Sequence, residues 1–262
     1  MKIGLIIPYK NAAEWLPRCL NSIKGDFKVF LVSDNAPSFE HNLVLDWGRD
    51  HHENIGDVLG YDGKGQGVSY ARNRGLIEAI EQECDYITFL DADDELTPQA
   101  YEIMIKGIEY FPESPIIQFN HLRQRSDGTQ TLRFYNRTGD YYLNKLPGLW
   151  VLCWNKLYKT KYVEAVRFRG QLRHGEDELF NLEVLSVARR ISNYDKSTVI
   201  HHTDNPNSLS KQTTAEDLIL EQQALLGFLK DYNDDPELCD AVRRRMIELW
   251  DNPVYKRCFG GT

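Results

Sequence analysis

The sequence contains few cysteines and no long apolar run. Its five cysteines are scattered, odd in number and without a CxxC pair, which favours a reduced compartment over a disulfide framework. The apolar run that ends at Pro8 is too short for a signal peptide, and no run approaches the ~20 residues of a membrane span. We therefore expect a cytoplasmic protein without a transmembrane segment.

Positive charge is also scarce. The 262 residues carry a formal net charge of −8, which argues against non-specific nucleic-acid binding, because such binding needs a basic surface. Arg243–Arg245 is a local exception and a candidate contact for an anionic acceptor. The length suits one large α/β domain or one domain with a tail.

The first half of the chain alternates short apolar segments with helical patterns. We expect strands at 2–8, 28–35, 54–61 and 85–90, and helices at 14–23 and 68–83. This alternation predicts βαβ units and a mainly parallel sheet, whose functional groups gather at the carboxyl ends of the strands. Those ends carry Pro8–Tyr9, Asp34 and Asp91–Asp93, so three polar clusters should converge on one crevice.

The second half is more mixed. We expect helices at 98–110, with Thr97 as N-cap, and at 175–189, 215–232 and 236–250, and strands at 115–122, after the turn 126–129, and at 198–202. The last two helices form a predicted C-terminal helical extension, residues 212–262, after a main domain of residues 1–211. Such an extension often serves dimerisation or acceptor docking, so a homo-oligomer formed through these helices is one expectation.

The densest group of acidic residues follows the fourth predicted strand. In FLDADDELTP, four of the five residues from Asp91 to Glu95 are acidic. Like charges repel, so the cluster favours a cation, and a DxD pair supplies the hard oxygens that Mg²⁺ and Mn²⁺ prefer. The alternative is a set of helix N-terminal acids before Pro98. A phosphatase of the haloacid-dehalogenase type would need Thr or Val where Glu95 stands.

A glycine-rich loop, Gly63–Gly67, precedes the second helical pattern. With Lys64 and the following Arg72, it is suited to approach a diphosphate, although the P-loop pattern is absent. A plain glycine turn is the alternative.

Asp177 lies where a strong amphipathic helix begins, in the segment HGEDE. A carboxylate there is either a general base or one of several first-turn acids that stabilise the helix. The tandem residues His201 and His202 end a strand. Because neighbouring strand residues point to opposite faces, at most one of them would face a site.

In their order along the chain, these segments resemble the family 2 glycosyltransferases of the GT-A fold. The matching segments are IIPYKNAAEWLPRCLNSI, GVSYARNRGL, FLDADD, NKLY, GEDELFN and NSLSK. The resemblance covers about residues 2–211. It implies an α/β fold of the GT-A type, with a Rossmann-like, mainly parallel sheet flanked by helices, followed by the helical extension.

The resemblance also implies an activity and its residues. The protein would be an inverting, metal-dependent enzyme that moves a sugar from a nucleotide diphosphate sugar, with a UDP-sugar as the expected donor, to an acceptor hydroxyl. Within Asp91–Ala92–Asp93, Asp93 would bind Mn²⁺ or Mg²⁺ and Asp91 the ribose or the metal's water shell. Asp177 would be the general base. The base and ribose of the nucleotide would be contacted by Pro8, Tyr9, Asn11 and Asp34. Arg72 would contact the nucleotide and Lys64 the leaving diphosphate. His202 would be an extra metal ligand.

One departure from the family pattern concerns the nucleotide base. Ser33 replaces the first aspartate of the family's DD pair, so base recognition is expected to differ from the usual uridine contact, with Asp34 serving instead. We also expect Gly63–Gly67 and Thr203–Lys211 to order over the donor as lids.

Two other functions remain as alternatives. A non-catalytic nucleotide-sugar binder is disfavoured by the intact Asp93 and Asp177. A nucleotidyltransferase would carry a glycine- and basic-rich loop after the first strand, where Tyr9–Ala12 stands. The acceptor is open among a polysaccharide, a cell-wall polymer, a lipid-linked sugar and a modified nucleic acid.

Overall fold

The computed structural model describes residues 1–50, 55–59, 67–133, 136–148, 150–206, 208, 211–251 and 255–256. The strands in this part are β1 (Ile3–Tyr9), β2 (Phe27–Ser33), β3 (Ile55–Leu59), β4 (Tyr86–Phe89), β5 (Glu95–Leu96), β6 (Ile116–Gln124), β7 (Gln130–Arg133), β8 (Gly139–Tyr142), β9 (Lys156–Lys159) and β10 (Arg190–His202). The helices are α1 (Leu16–Ser22), α2 (Ser38–Asp50), α3 (Val68–Glu81), α4 (Ala100–Tyr110), α5 (Glu176–Ala188), α6 (Ala215–Asp231) and α7 (Pro236–Asp251).

The strands form one mixed, mostly parallel sheet. Its order is β3-β2-β1-β4-β9-β6-β10-β5, with β7 on β6 and β8 on β10. The β3-β2-β1-β4 pairs and the β6-β10 pair are parallel, while β9 runs antiparallel between β4 and β6. The carboxyl ends of β1, β2, β4, β6 and β10 therefore share one edge of the sheet. The predicted GT-A type of α/β architecture is confirmed.

The packing of α3 on the sheet determines where the site forms. Every residue of β1 is buried, and α3 crosses it at Gly75, where an added Cβ would lie 2.5 Å from Cγ2 of Ile6 and 3.1 Å from Cγ2 of Val32. Only glycine permits this approach. The close contact brings Arg72, one turn earlier on the buried face of α3, to the edge where the strands end.

Several elements differ from the sequence-based expectations. Helix α2 was not predicted, since its residues are polar on average, yet Glu40, Val44 and Trp47 form a buried face at helical spacing. Strand β10 spans 13 residues rather than five, and its register against β6 shifts between Tyr194 and Val199. Such an irregularity breaks the alternation that identifies a strand in a sequence. Helix α4 begins after Gln99, and Thr97 instead bonds the backbone of Ser197 (3.0 Å).

The C-terminal helices α6 and α7 pack against α5 and share the core of the sheet. Their buried apolar side chains belong to the same cluster as those of the central strands: Leu218, Leu225, Phe228, Leu238 and Val242. Helix α6 starts with a capping box between Thr214 and Asp217. None of the helices in the described residues combines the length and the apolar character needed to cross a bilayer. The domain division after residue 211 stays a prediction.

Candidate active site

The acidic run after β4 folds into a turn and not into a helix cap. Leu90 N still bonds Ile6 O (3.0 Å), and Asp94 N closes the turn on Asp91 O (3.0 Å). Helix α4 starts later, and its N-cap Gln99 makes no side-chain capping bond. The alternative interpretation, that these acids stabilise the N-terminus of α4, is therefore not what the contacts show.

Asp94 is the structural member of this run. It is 1% exposed and accepts a hydrogen bond from His202 N (2.8 Å), while its carboxylate pairs with His201 Nδ1 (3.1 Å). Burial raises the pKa of Asp94 to about 6, although the bond to His201 opposes the shift. Asp94 therefore fixes the end of β10 beside the turn.

Asp91 and Asp93 carry the negative potential of the crevice. Burial and the charge of Asp91 raise the pKa of Asp93, and the hydrogen bond from Asn205 Nδ2 (2.7 Å) opposes this. The nearby Cys19 thiol, 3.7 Å from Asp91 O, has a raised pKa because it is buried among these carboxylates. A bound cation would reduce the repulsion between these neighbouring carboxylates.

The donor atoms suit Mg²⁺ or Mn²⁺, which prefer carboxylate oxygens. Within the described residues, no three His, Cys, Asp or Glu side chains are gathered into a metal-binding group. The carboxylates therefore fit an ion that completes its coordination with phosphate oxygens and water, as Mg²⁺ commonly does.

Arg72 connects the acidic turn to the start of α5. Its Nη2 donates to Asp91 Oδ1 (2.8 Å), and its Nη1 donates to Asp177 Oδ1 (2.7 Å) and Glu176 Oε1 (3.1 Å). Burial alone would lower the pKa of Arg72, but the surrounding carboxylates raise it. One buried cation thus brings together the acid of the DxD pair and the proposed base, which are far apart in the chain.

Asp177 is held by residues outside its own helix. Its Oδ2 accepts a hydrogen bond from Cys153 N (3.2 Å), and Oδ1 accepts from Arg72. The N-cap of α5 is Gly175, without a side-chain capping bond. Asp177 is therefore not the N-cap of α5, but it lies in the first turn together with Glu176 and Glu178, so the helix-stabilising role and the general-base role both stay predictions. Its side chain is 16% exposed, so the carboxylate still reaches the crevice.

Asp34 and Tyr9 lie at the ends of β2 and β1. Asp34 accepts hydrogen bonds from Lys10 Nζ (3.1 Å) and Gly67 N (3.1 Å), so it joins the first loop to the start of α3. Tyr9 is 2% exposed, and its hydroxyl bonds His41 Nδ1 (3.0 Å). Burial raises the pKa of Tyr9 to about 12. Pro8 is buried beside it, and Asp34 is buried as well, so Asn11 is the exposed member of the predicted base and ribose contacts.

The two histidines at the end of β10 contact different carboxylates. His201 lies beside Asp94, and its ring stacks on Trp154 with centroids 5.4 Å apart. His202 has a side chain only 2% exposed, and its Nε2 pairs with Glu95 Oε1 (2.6 Å). The nitrogen of His202 is thus engaged by Glu95, whereas His201 stands next to the Asp91–Asp94 turn. His201 is the imidazole on the side of the DxD pair.

Some residues that build the site had no predicted role. The carboxylate of Glu40 accepts hydrogen bonds from the backbone of residues 11–13 and so supports the loop after β1. Asn73 exchanges two 2.8 Å hydrogen bonds with the backbone of Phe168. An amide or acid within an apolar face is the only sequence signal for such residues.

The NKLY segment joins the α5 helix through buried polar groups. Tyr158 OH donates to Asn181 Oδ1 (2.7 Å), and Asn181 Nδ2 donates to Val151 O (3.0 Å). Lys156 is fully buried and donates to Asn155 Oδ1 (2.8 Å), and burial lowers its pKa to about 7. These bonds fix the segment that presents Cys153 N to Asp177.

Other predicted positions do not join the site. Lys64 and the rest of Gly63–Gln66 lie outside the described residues. Arg243, Arg244 and Arg245 point to three different partners: Asp240 Oδ1 (2.8 Å), Leu143 O (2.6 Å) and Glu178 Oε2 (2.9 Å). Arg243 and Arg244 are exposed, whereas Arg245 is half-buried and paired with Glu178. The contact of this run with an anionic acceptor stays a prediction.

The chain is similar to known proteins of one family. The model of the family described as "Glycosyl transferase family 2" matches residues 5–155, more than half of the chain. The putative glycosyltransferase EpsH of Bacillus subtilis is 25% identical over 226 residues, covering 79% of this chain and 62% of EpsH. The chain thus spans less than two thirds of that relative.

Two solved structures show the same fold. Residues 1–349 of Staphylococcus aureus TarS, a poly(ribitol-phosphate) β-N-acetylglucosaminyltransferase, were solved with UDP-GlcNAc; the TM-score is 0.73 at 19% identity, over 87% of this chain and 67% of that one. The mannosyltransferase PcManGT of Pyrobaculum calidifontis, solved with GDP-Man and Mn²⁺, has a TM-score of 0.65 at 10% identity, over 92% of this chain and 68% of that one.

Proposed function

The chain belongs to glycosyl transferase family 2, and we propose that it is an inverting, metal-dependent enzyme that moves a sugar from a nucleotide diphosphate sugar to an acceptor hydroxyl. The observation that carries this proposal is the bridge made by Arg72. It joins Asp91 to Asp177 through bonds of 2.8 and 2.7 Å. A donor-side carboxylate and a base-side carboxylate thereby face one crevice.

On the donor side, the carboxylate of Asp93 would hold the divalent ion, with Asp91 beside it. His201 would be the adjacent imidazole in preference to His202, because Asp94 engages the Nδ1 of His201 and so orients its ring. When bound, the ion supplies positive charge for the departing diphosphate.

On the base side, Asp177 accepts the proton of the acceptor hydroxyl. The hydroxyl oxygen forms a bond to the anomeric carbon while the bond from that carbon to the diphosphate oxygen breaks, and the configuration inverts. The proton ends on the carboxylate, and the electron pair of the broken bond stays on the diphosphate. Arg72 and Cys153 N each occupy one lone pair of Asp177, which fixes the direction of the remaining ones. A positioned general base typically contributes about 10²–10⁴-fold in rate.

A UDP-sugar is the first donor to test, and recognition of the base would involve Asp34. Ser33 uses its hydroxyl to accept a hydrogen bond from Ala36 N (3.0 Å) and so stabilises the turn after β2. TarS is described with UDP-GlcNAc and PcManGT with GDP-Man, so the family fold accepts more than one base. For the acceptor we propose a cell-wall polymer, the class to which the poly(ribitol phosphate) in the name of TarS belongs.

A donor screen tests the proposal. UDP-, GDP- and CDP-sugars are added with and without Mn²⁺, and thermal stabilisation is followed by an assay for transfer to polymer acceptors. We expect one nucleotide series to raise the melting temperature only with Mn²⁺ present, and Asp93→Ala to lose that effect. Stabilisation without turnover on any acceptor would favour a non-catalytic nucleotide-sugar binder. No stabilisation by any series would contradict the proposal.

A further inference from the structure

The C-terminal helices α6 and α7 reach the segment that carries Asp177 through buried charged side chains. Glu221 of α6 is 1% exposed, and the side chain of Arg245 on α7 is 18% exposed. Both lie outside residues 2–211, where the family resemblance was found. Neither residue takes part in the proposed reaction.

Glu221 contacts the two residues that precede α5. Its Oε2 bonds His174 Nδ1 (3.1 Å) and accepts a hydrogen bond from Tyr255 OH (2.7 Å). Gly175 has φ +79°, and a Cβ there would lie 2.6 Å from Cγ of Glu221. The absence of a side chain at Gly175 therefore lets Glu221 lie directly against the backbone where α5 begins.

Arg245 contacts the residue that follows Asp177. Its Nε donates to Glu178 Oε2 (2.9 Å), and Glu178 is 3% exposed. The C-terminal helices therefore contact the start of α5 on both sides of Asp177. Arg72 and Cys153 N hold the Asp177 carboxylate, and Arg72 also holds that of Glu176, but among their described contacts neither reaches the residues on the two sides of this pair.

These charges are a costly way to pack two helices. Burying a carboxylate is unfavourable unless it is paired, and a buried ion pair is often no more stable than an apolar replacement. Within the described residues, Oε1 of Glu178 and Oε1 of Glu221 have no hydrogen-bond partner. Burial raises the pKa of Glu178 to about 7, and the charge of Glu221 adds to the shift while Arg245 opposes it. Stability alone therefore does not explain why these charged side chains are buried between the helices. Directional bonds, however, fix the positions of the groups that they join better than apolar contacts do.

We propose that α6 and α7 act as a clamp on the start of α5, with Glu221 and Arg245 as positioning residues for Asp177. This inference rests on the proposed function, since it assigns Asp177 as the group to be positioned. In this proposal the C-terminal helices set the position of Asp177, which is a different role from dimerisation or acceptor docking.

The test compares Arg245→Met with Arg243→Met. Both variants remove one arginine from the same helix, but Arg243 pairs only with the exposed Asp240 among its described contacts. We expect Arg245→Met to lower kcat by up to about 10²-fold, as for a displaced catalytic group. The KM for the donor should stay unchanged, because the donor side is built on β2 and β4. Equal kcat in the two variants would overturn the clamp.

Three further variants keep the test decisive if Arg245→Met folds poorly. The pair Glu178→Gln with Arg245→Met leaves no unpaired buried charge, so it should fold and still show the low kcat; wild-type kcat would contradict the proposal. Glu221→Gln retains an acceptor for Tyr255 and His174 and should keep most of the rate. Glu221→Leu should lose it, and equal rates in these two variants would count against a positioning role.

Hydrogen exchange separates the clamp from the proposed function. Amides of residues 176–180 should exchange faster in Arg245→Met than in Arg243→Met, whether or not a donor or an acceptor is known. If the wild type transfers no sugar, the proposed function fails, while this comparison still decides on the clamp. Equal exchange in the two variants would overturn the clamp even if the enzyme is active.

Discussion

The two sides of the crevice are built differently. On the donor side, Asp34 directly follows β2 and Asp91 lies two residues after β4, so the sheet sets their positions. On the base side, Asp177 stands at the first turn of α5, and its partners Cys153 and Arg72 lie 24 and 105 positions away in the chain. One side is positioned by local chain connectivity and the other by long-range contacts.

The difference follows from how strands and helices end. Each central strand has hydrogen-bonded neighbours on both sides, which leave its end little freedom. A helix start has unpaired N–H groups and depends on a cap, and α5 begins at a glycine without a side-chain cap. The base side therefore needs Arg72 from α3 and the charges of α6 and α7. Substitutions on the two sides should therefore have effects of different size.

The largest effect is expected at the base itself. Asp177→Asn keeps the shape and can still accept a hydrogen bond from Arg72 or Cys153 N, but it removes the basic carboxylate. We expect transfer to fall by about 10²–10⁴-fold, with near-normal melting and donor binding, and inverted product from the wild type. The measurement is single-turnover transfer with a competent acceptor. Retained transfer would move the role to Glu176 or Glu178.

The donor side should respond differently to substitution. Asp93→Ala removes the carboxylate next to Asp91, and we expect it to abolish Mn²⁺-dependent nucleotide binding while the fold stays intact. Burial, and after it the charge of Asp91, raise the pKa of Asp93, so the ionised carboxylate is disfavoured where it lies and its loss should not lower the melting temperature of the metal-free protein. Calorimetry with UDP and Mn²⁺ is the check, and unchanged affinity would remove Asp93 from the metal site.

Arg72→Lys probes the link between the two sides. Lysine keeps the charge but cannot reach three carboxylates in the planar geometry of a guanidinium. We expect a loss of about 10²-fold in kcat through displacement of Asp177, with a smaller change in donor affinity. Arg74→Lys is the matched control, since Arg74 lies on the same helix and pairs only with Glu78 among its described contacts. Equal kcat in both variants would show that the bridge is dispensable.

The contrast between local connectivity and long-range contacts also explains which parts of the site the sequence predicts. The strand ends at Tyr9, Asp34 and Asp91 were recognised because buried strands and their polar termini are adjacent in the chain. The DxD segment follows a buried strand in the same way, and the GEDE segment is recognised because it opens an amphipathic helix. The contacts of Arg72, Glu221 and Arg245 join positions far apart, and no local periodicity reports them. Helix α2 and strands β8 and β9 were missed because their residues lack a clear apolar pattern.

The smallest effect concerns pH and the clamp. The pKa of Glu178 in the folded protein is raised to about 7 from the ordinary 4.5, mainly by burial. The folded state therefore binds this proton more tightly than the unfolded state does. Stability from this group is full below about pH 4.5 and is lost as pH rises towards 7.

Glu178→Gln should remove this dependence, because glutamine does not titrate. The melting temperature of the wild type should fall more between pH 5 and 7.5 than that of Glu178→Gln, by a few degrees for each ~1 kcal/mol. Burial lowers the pKa of His174, but its bond to Glu221 and the charges of Glu176 and Glu178 raise it overall. Its contribution has the same direction in both proteins and is smaller in Glu178→Gln. The difference between the two melting curves therefore reports Glu178 together with its interaction with His174. Parallel curves would mean that Glu178 titrates alike in the folded and unfolded states, and that the base side is more solvated than its contacts with Arg245 indicate.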